Sequence, residues 1–129
     1  MSDDAGNTGK KAMLGEAEWE IMTIIWEEGR PLTSTFIMEH LAGRAWALST
    51  VMTVLARLCN KGFVHCDRSG GFNQYTAVIS GAEYRERESR AFLKKAYGSS
   101  IANMVAALTD SGAVSDEEID RLRRILDRN

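Results

Sequence analysis

Residues 48–64, LSTVMTVLARLCNKGFV, decide how the rest of this chain is read. Val51, Val54, Leu55 and Leu58 recur at i, i+3, i+4 and i+7, the spacing of one apolar stripe along a helix. The other side carries Ser49, Thr50, Met52, Thr53, Ala56 and Arg57, which are small, hydroxylated or basic, with no acid among them. A helix lying in a DNA major groove needs such a face. Bulk would hold it off the base edges, a carboxylate would be repelled by phosphate, and hydroxyls and guanidinium bond to both. Gly62 is expected to close the helix, and two alternating runs, 63–68 and 72–78, flank a turn at Ser69-Gly70-Gly71. Helix, glycine, hairpin: the order reads as a recognition helix followed by a wing.

Upstream, Leu14, Ala17, Ile21, Ile24 and Ile25 form one helical stripe, and Trp19, Met22 and Trp26 form a second beside it. A helix apolar over so much of its surface is expected to be buried on several sides, with its tryptophans in the core. Gly29 ends it, and Arg30-Pro31-Leu32 makes an extended connection. Thr33 or Ser34 caps a short second helix through Leu41 that buries Phe36, Ile37 and Leu41. Residues 43–47 turn into the recognition helix. The second and third helices thus form a helix-turn-helix pair, braced by the first. In the wing, Val64 and Cys66 face inward opposite Tyr75 and Ala77, and Arg68 is carried to the tip, where it meets phosphate or the minor groove.

Downstream of Ser80-Gly81 the pattern is helical to the end. Residues 82–97 mix charge with Tyr84, Phe92, Leu93 and Tyr97, and Gly98-Ser99-Ser100 breaks the helix. Ile101, Met104, Val105 and Leu108 then repeat the stripe, and Ser115 with Glu118 makes a capping box before Ile119, Leu122, Ile125 and Leu126. Three short amphipathic helices in about 50 residues cannot bury their stripes against one another alone. A two-fold homodimer is therefore expected, joined through Phe92, Tyr97, Ile101, Met104, Val105, Leu108, Ile119, Leu122 and Leu126. The fold class is mainly α with a small β wing. Its expected parts are a disordered arm over 1–11, a winged helix-turn-helix domain over 12–79 and a helical dimerisation tail over 80–129.

Composition sets the bounds. The 129 residues carry a net charge of −2, which by itself argues mildly against nucleic acid. Its distribution matters more. Residues 12–39 hold six Glu against Arg30, whereas 40–79 hold Arg44, Arg57, Lys61 and Arg68 against Asp67 alone. The basic segment is the one that carries the recognition helix and wing. No apolar run approaches the ~20 residues of a membrane span, and the polar start MSDDAGNTGKK lacks the apolar middle of a signal peptide. Cytoplasmic location and reduced Cys59 and Cys66 are expected.

The pieces LGEAEWEIMTIIWEEG, LSTVMTVLARLCNKGFV, the short wing, AFLKKAYGSSIANMV and SDEEIDRLRRIL together resemble the penicillinase-repressor (BlaI/MecI/CopY) family of transcriptional regulators, over about residues 14–127. The resemblance implies a winged-helix domain with a helical dimerisation tail, and repression of an operon for β-lactam resistance or, in one branch, copper handling. It places the DNA-reading positions at Ser49, Thr50, Met52, Thr53 and Arg57, with Arg68 on the wing. It also implies a membrane zinc-protease sensor as a partner. Two positions depart from the pattern. The family's β-lactam repressors carry Arg where Met52 stands, so operator sequence does not transfer. Their cleaved Asn-Phe bond corresponds here to Ala107-Leu108. The copper branch's Cys-x-Cys motifs are missing, since no cysteine follows Cys66.

Other function classes read less well. No Ser/His/Asp set, phosphate loop or His-Glu-x-x-His spacing is visible, so no enzyme and no cofactor are expected. Cys59, His65 and Cys66 offer three zinc ligands without a fourth, and the adjacent His65 and Cys66 point to opposite faces of a strand. No metal is expected. Two alternatives stay open: a winged-helix regulator that senses a small molecule or thiol oxidation, and a winged helix used for protein contacts without DNA.

Overall fold

The computed structural model describes residues 13–41 and 46–128. The arm expected over 1–11 and most of the turn expected over 43–47, with Arg44, lie outside the described residues. Helices α1 (Glu16–Glu28), α2 (Ser34–Glu39) and α3 (Leu48–Asn60) are followed by strands β1 (Val64–Asp67) and β2 (Gln74–Ala77). Helices α4 (Gly81–Tyr97), α5 (Ile101–Asp110) and α6 (Asp116–Asp127) complete the chain. By contacts it forms two compact units, one through Arg85 and one from Glu86.

Local chemistry sets the ends of the elements in the first unit. Gly29 closes α1 in the left-handed region at φ 65°, its N–H donating to the Ile25 carbonyl. That conformation costs a glycine nothing, and it frees the chain to turn away from the helix axis. Thr33, one of the two expected caps, accepts from the Phe36 N–H at 3.1 Å through its hydroxyl. At the end of α3, Gly62 N–H donates to Cys59 O at 3.1 Å and Phe63 N–H to Leu58 O at 3.0 Å. Gly62 sits at φ 84°, which reverses the chain into the hairpin.

The strands pair antiparallel with Val64 opposite Ala77 and Cys66 opposite Tyr75. They are shorter than the runs 63–68 and 72–78 suggest, in part because the Phe63 N–H is already spent on the end of α3. The connection before α2 does more than extend. Leu32 bridges Tyr75, donating to its carbonyl at 3.0 Å and accepting from its N–H at 2.8 Å. This single bridge thus fastens the wing to the helices, completing a winged-helix arrangement.

Ile21, Met22, Ile25, Leu32, Ile37, Val51, Leu55, Leu58 and Phe63 are buried to within 2% of completely and form the heart of the core. Each apolar side chain so placed stabilises the fold by roughly 1.5–3 kcal/mol relative to exposure. The expectation that the tryptophans of α1 are core residues holds for Trp26, which packs half-buried against the core, and needs correction for Trp19. Trp19 is 40% exposed. The core-facing side of α1 is taken by Ile21, Met22 and Ile25, which leaves the tryptophans on its flank. There they cluster with Tyr84 at the start of α4, with ring centroids 5.6–5.9 Å apart. Trp26 Nε1 donates to the Ile79 carbonyl, and the Tyr84 hydroxyl accepts from the Leu14 N–H. Phe36, expected to be buried, is half-buried, stacked on His40 at 3.9 Å with Arg30 over its ring.

In the second unit, Gly98 and Ser99 take positive φ and end α4. Ser100 and Ser115 cap α5 and α6, accepting from Asn103 N–H at 3.0 Å and Glu118 N–H at 3.2 Å. No residue of α5 or α6 is buried. Among the described residues, no helix is long and apolar enough to cross a membrane.

Candidate nucleic-acid interface

Helix α3 divides as its sequence spacing requires. Val51, Val54, Leu55 and Leu58 are 0–3% exposed, and Ser49, Thr50, Met52, Thr53, Ala56 and Arg57 all lie on the solvent side. The first turn holds no acid, and Ala47 at the N-cap offers no side-chain cap. The positive end of the helix dipole therefore meets no carboxylate of its own element. Thr50 and Ser49 present hydroxyls there. Thr53 differs, because its hydroxyl already donates to the Ser49 carbonyl at 2.9 Å. In this rotamer it offers a partner a methyl group and lone pairs rather than a proton. Met52, 39% exposed, projects an apolar, flexible side chain from the same face.

Arg57 has a neighbour that reading its own helix did not reveal. Glu18 in the first turn of α1 is only 3% exposed, and its Oε2 lies 4.0 Å from the Arg57 guanidinium. Glu18 Oε1 accepts from Lys61 Nζ at 2.7 Å and from the Gly15 N–H at 2.8 Å. Lys61 also reaches the Met13 carbonyl at 3.3 Å. The signal for Glu18 was present in outline: a Glu at the third position of a helix reaches back to the N-cap amide. Its role toward α3 depends on tertiary packing that spacing does not contain. Arg57 keeps about half its side chain in solvent, at 54%.

The wing tip is held by Asp67, whose Oδ1 accepts from the Ser69 N–H at 2.9 Å and the Ser69 hydroxyl at 2.7 Å. Those bonds pull the Asp67 carboxyl below the usual carboxylate range. Arg68 is exposed beside it. Cys59 and Cys66, both free and half-buried, lie between α3 and the wing. Burial pushes the Cys59 thiol up, the Cys66 sulfur adds to this, and the Arg68 charge partly offsets it. Tyr75 is likewise raised by burial.

Residues 14–128 match the family described as penicillinase repressor. The chain belongs to that family. A penicillinase repressor of Bacillus licheniformis is 31% identical over 120 residues, covering 93% of this chain and 94% of its own. The methicillin resistance regulatory protein MecI of Mammaliicoccus sciuri is 29% identical over 115 residues, covering 89% and 94%. A solution structure of the DNA-binding domain of the repressor BlaI overlaps 56% of this chain and 88% of that one, with 27% identity and a TM-score of 0.49.

In this member of the family the tail residues singled out by their spacing fall into two groups. Phe92, Ile101, Leu108 and Leu126 are 43–70% exposed, whereas Tyr97, Met104, Val105, Ile119 and Leu122 are half-buried. Phe92, Leu93, Ile101 and Met104 line an open, mostly apolar groove of about 380 Å³ together with Ser89 and Arg90. The Ala107-Leu108 bond lies in the last turn of α5. The Ala107 carbonyl accepts from Ser111 N–H at 3.3 Å, and the Leu108 carbonyl from Ala113 N–H at 3.0 Å.

Proposed function

We propose that this protein is a transcriptional repressor that binds a palindromic operator as a homodimer, and that the operator controls an operon of the β-lactam-resistance type. The observation that carries the DNA reading is the outer face of α3. It faces solvent, carries no acid and is flanked by a wing whose tip bears Arg68. Ser49, Thr50, Met52 and Thr53 on the first turns enter the groove, where base edges are read, and Arg57 and Arg68 serve the backbone or a neighbouring base. The apolar faces of α5 and α6, without a buried residue between them, support a second copy as their cover. Two copies present two α3 helices to two half-sites. The names of the relatives, a penicillinase repressor and a methicillin resistance regulator, support the choice of operon.

Relief of repression by a membrane metalloprotease sensor at Ala107-Leu108 would require the last turn of α5 to open first, since a protease takes its substrate extended. Local opening of a terminal turn is a low-energy event, so the helical setting slows such a cut without forbidding it.

Selection from a random duplex library tests the reading directly. The wild-type protein should enrich a two-fold symmetric motif. Met52→Arg should shift one symmetric position in each half-site from thymine toward guanine, because Met touches a thymine methyl and Arg bonds guanine through two acceptors. Identical motifs from both proteins would mean that Met52 does not face the bases. No enriched motif and no salt-dependent binding would sink the DNA reading and favour a winged helix used for protein contacts.

A further inference from the structure

The tip of the wing carries a large apolar side chain that the fold does not use. Phe72 is 74% exposed, more than any other large hydrophobic among the described residues. A single exposed hydrophobic is ordinary on a protein surface, so the exposure alone decides nothing. Its setting does. The turn that presents Phe72 is pinned at one end by the two hydrogen bonds from Ser69 to Asp67. Gly71, immediately before it, sits at φ 88° with no atom within 4 Å of the place a Cβ would occupy. Ser69, Gly70 and Gly71 add almost no bulk around the ring. Arg68, on the same loop, supplies the cation that a phosphate rim attracts. An aromatic ring on a narrow, glycine-flanked tip, pinned at one end and set beside a cation, has the shape and chemistry of a minor-groove wedge. The groove walls are apolar deoxyribose faces, and the rims are anionic.

We propose that Phe72 inserts its ring into the DNA minor groove beside the major-groove site of α3, packing on deoxyribose and base edges while Arg68 meets the phosphate rim. This rests on the DNA-binding reading above. The contact is apolar, so it adds affinity without displacing a counterion. That separates it from every arginine on the interface.

The test uses the full-length protein and a labelled duplex of about 30 base pairs selected by the wild type, long enough for two half-sites a helical turn apart. Binding is followed by fluorescence anisotropy over a salt series. Phe72→Ala should bind about tenfold more weakly with the salt slope of the wild type, and Phe72→Leu should recover most of the loss. Melting followed by circular dichroism should be unchanged in both, since the exposed ring supports no core. Saturating the duplex with netropsin, a minor-groove ligand, should bring the wild type down to the affinity of Phe72→Ala. Wild-type affinity in Phe72→Ala, on a duplex that the wild type binds with a steep salt slope, would overturn the proposal and leave the DNA reading standing. A loss in Phe72→Ala that lowers the salt slope and is not recovered by Leu would also overturn it, pointing to a displaced Arg68. Persistence of the Phe72 effect on netropsin-saturated DNA would place the ring outside the minor groove. A wild-type protein with no salt-dependent binding would remove both readings together.

Discussion

Arg57 stands between a buried carboxylate and open solvent, and that position sets what its loss should do. At 4.0 Å from Glu18 Oε2 and half exposed, it is only loosely paired, since ion pairs of this kind contribute little. Lys61 holds Glu18 much more closely, at 2.7 Å. Arg57 is therefore free to turn toward a phosphate, whereas Lys61 is committed. Arg57→Ala and Arg68→Ala should each weaken binding to selected and random duplexes alike, lowering the salt slope by about one per lost phosphate contact. If Arg57 reads a base instead, its loss relaxes discrimination at one position by ~1–3 kcal/mol. Anisotropy titrations at several salt concentrations separate the two, and normal binding by both variants would contradict the docking of α3. Asp67 gives a pH test of the wing. Ser69 holds its folded value below the ordinary 3.8, so the bonds that pin the turn are intact above that value. They are lost as pH falls through the lower, folded value. The carboxyl resonance of Asp67 should titrate below 3.8, with the Ser69 amide shift following it. A midpoint at or above the ordinary value would show that the turn is not held this way in solution.

At the scale of elements, the joint between α1 and α3 depends on Glu18. Its carboxylate satisfies the Gly15 amide at the start of α1 and the Lys61 ammonium just past the end of α3. Glu18→Gln keeps the amide bond and removes the charge, leaving a half-buried Lys61 without its anion. The expected cost is about 1–2 kcal/mol, discounted because Lys61 remains partly solvated. Thermal melting would register it as a lowered midpoint, and an unchanged midpoint would show that Lys61 loses nothing. That joint marks the boundary of what the sequence discloses. The α3 stripe, the Gly29 and Gly62 reversals, the Thr33 and Ser115 caps and the pairing of Cys66 with Tyr75 are local. Each follows from periodicity or turn chemistry within a few residues. What escaped reading are contacts over long separations. Leu32 enters the wing sheet at Tyr75, Tyr84 receives the Leu14 amide, and Glu18 meets Lys61. The Trp19 expectation failed for a related reason. Two adjacent apolar stripes on α1 show that both sides find cover, but not which cover is deep and which is the shallow aromatic cluster at Tyr84. The outer face of α3 was legible because exposure there is the complement of a well-defined stripe. Phe72 was not, because in a short alternating run an aromatic residue reads as strand.

For the whole molecule, the question is what covers the tail. Helix α5 carries Ile101 and Leu108 at 63% and 43% exposure, and α6 carries Leu126 at 70%, while neither helix buries a residue. Helices of 10 and 12 residues have little stability of their own, so a face this apolar needs packing to persist. In the homodimer proposed above, a second copy would supply it with the same residues twice over, which a two-fold axis permits. Leu108→Asp combined with Leu122→Asp places four carboxylates in the shared core of such a dimer, each costing several kcal/mol when buried without a partner. Sedimentation equilibrium should then report a monomer. Operator binding should fall far more than binding of a single half-site, because the linked second half-site contact is what the monomer gives up. A melting transition retained in the winged-helix core would locate the damage in the tail rather than in α3. A variant that sediments as the wild-type dimer would place the interface on other residues and leave the apolar faces of α5 and α6 to a different cover.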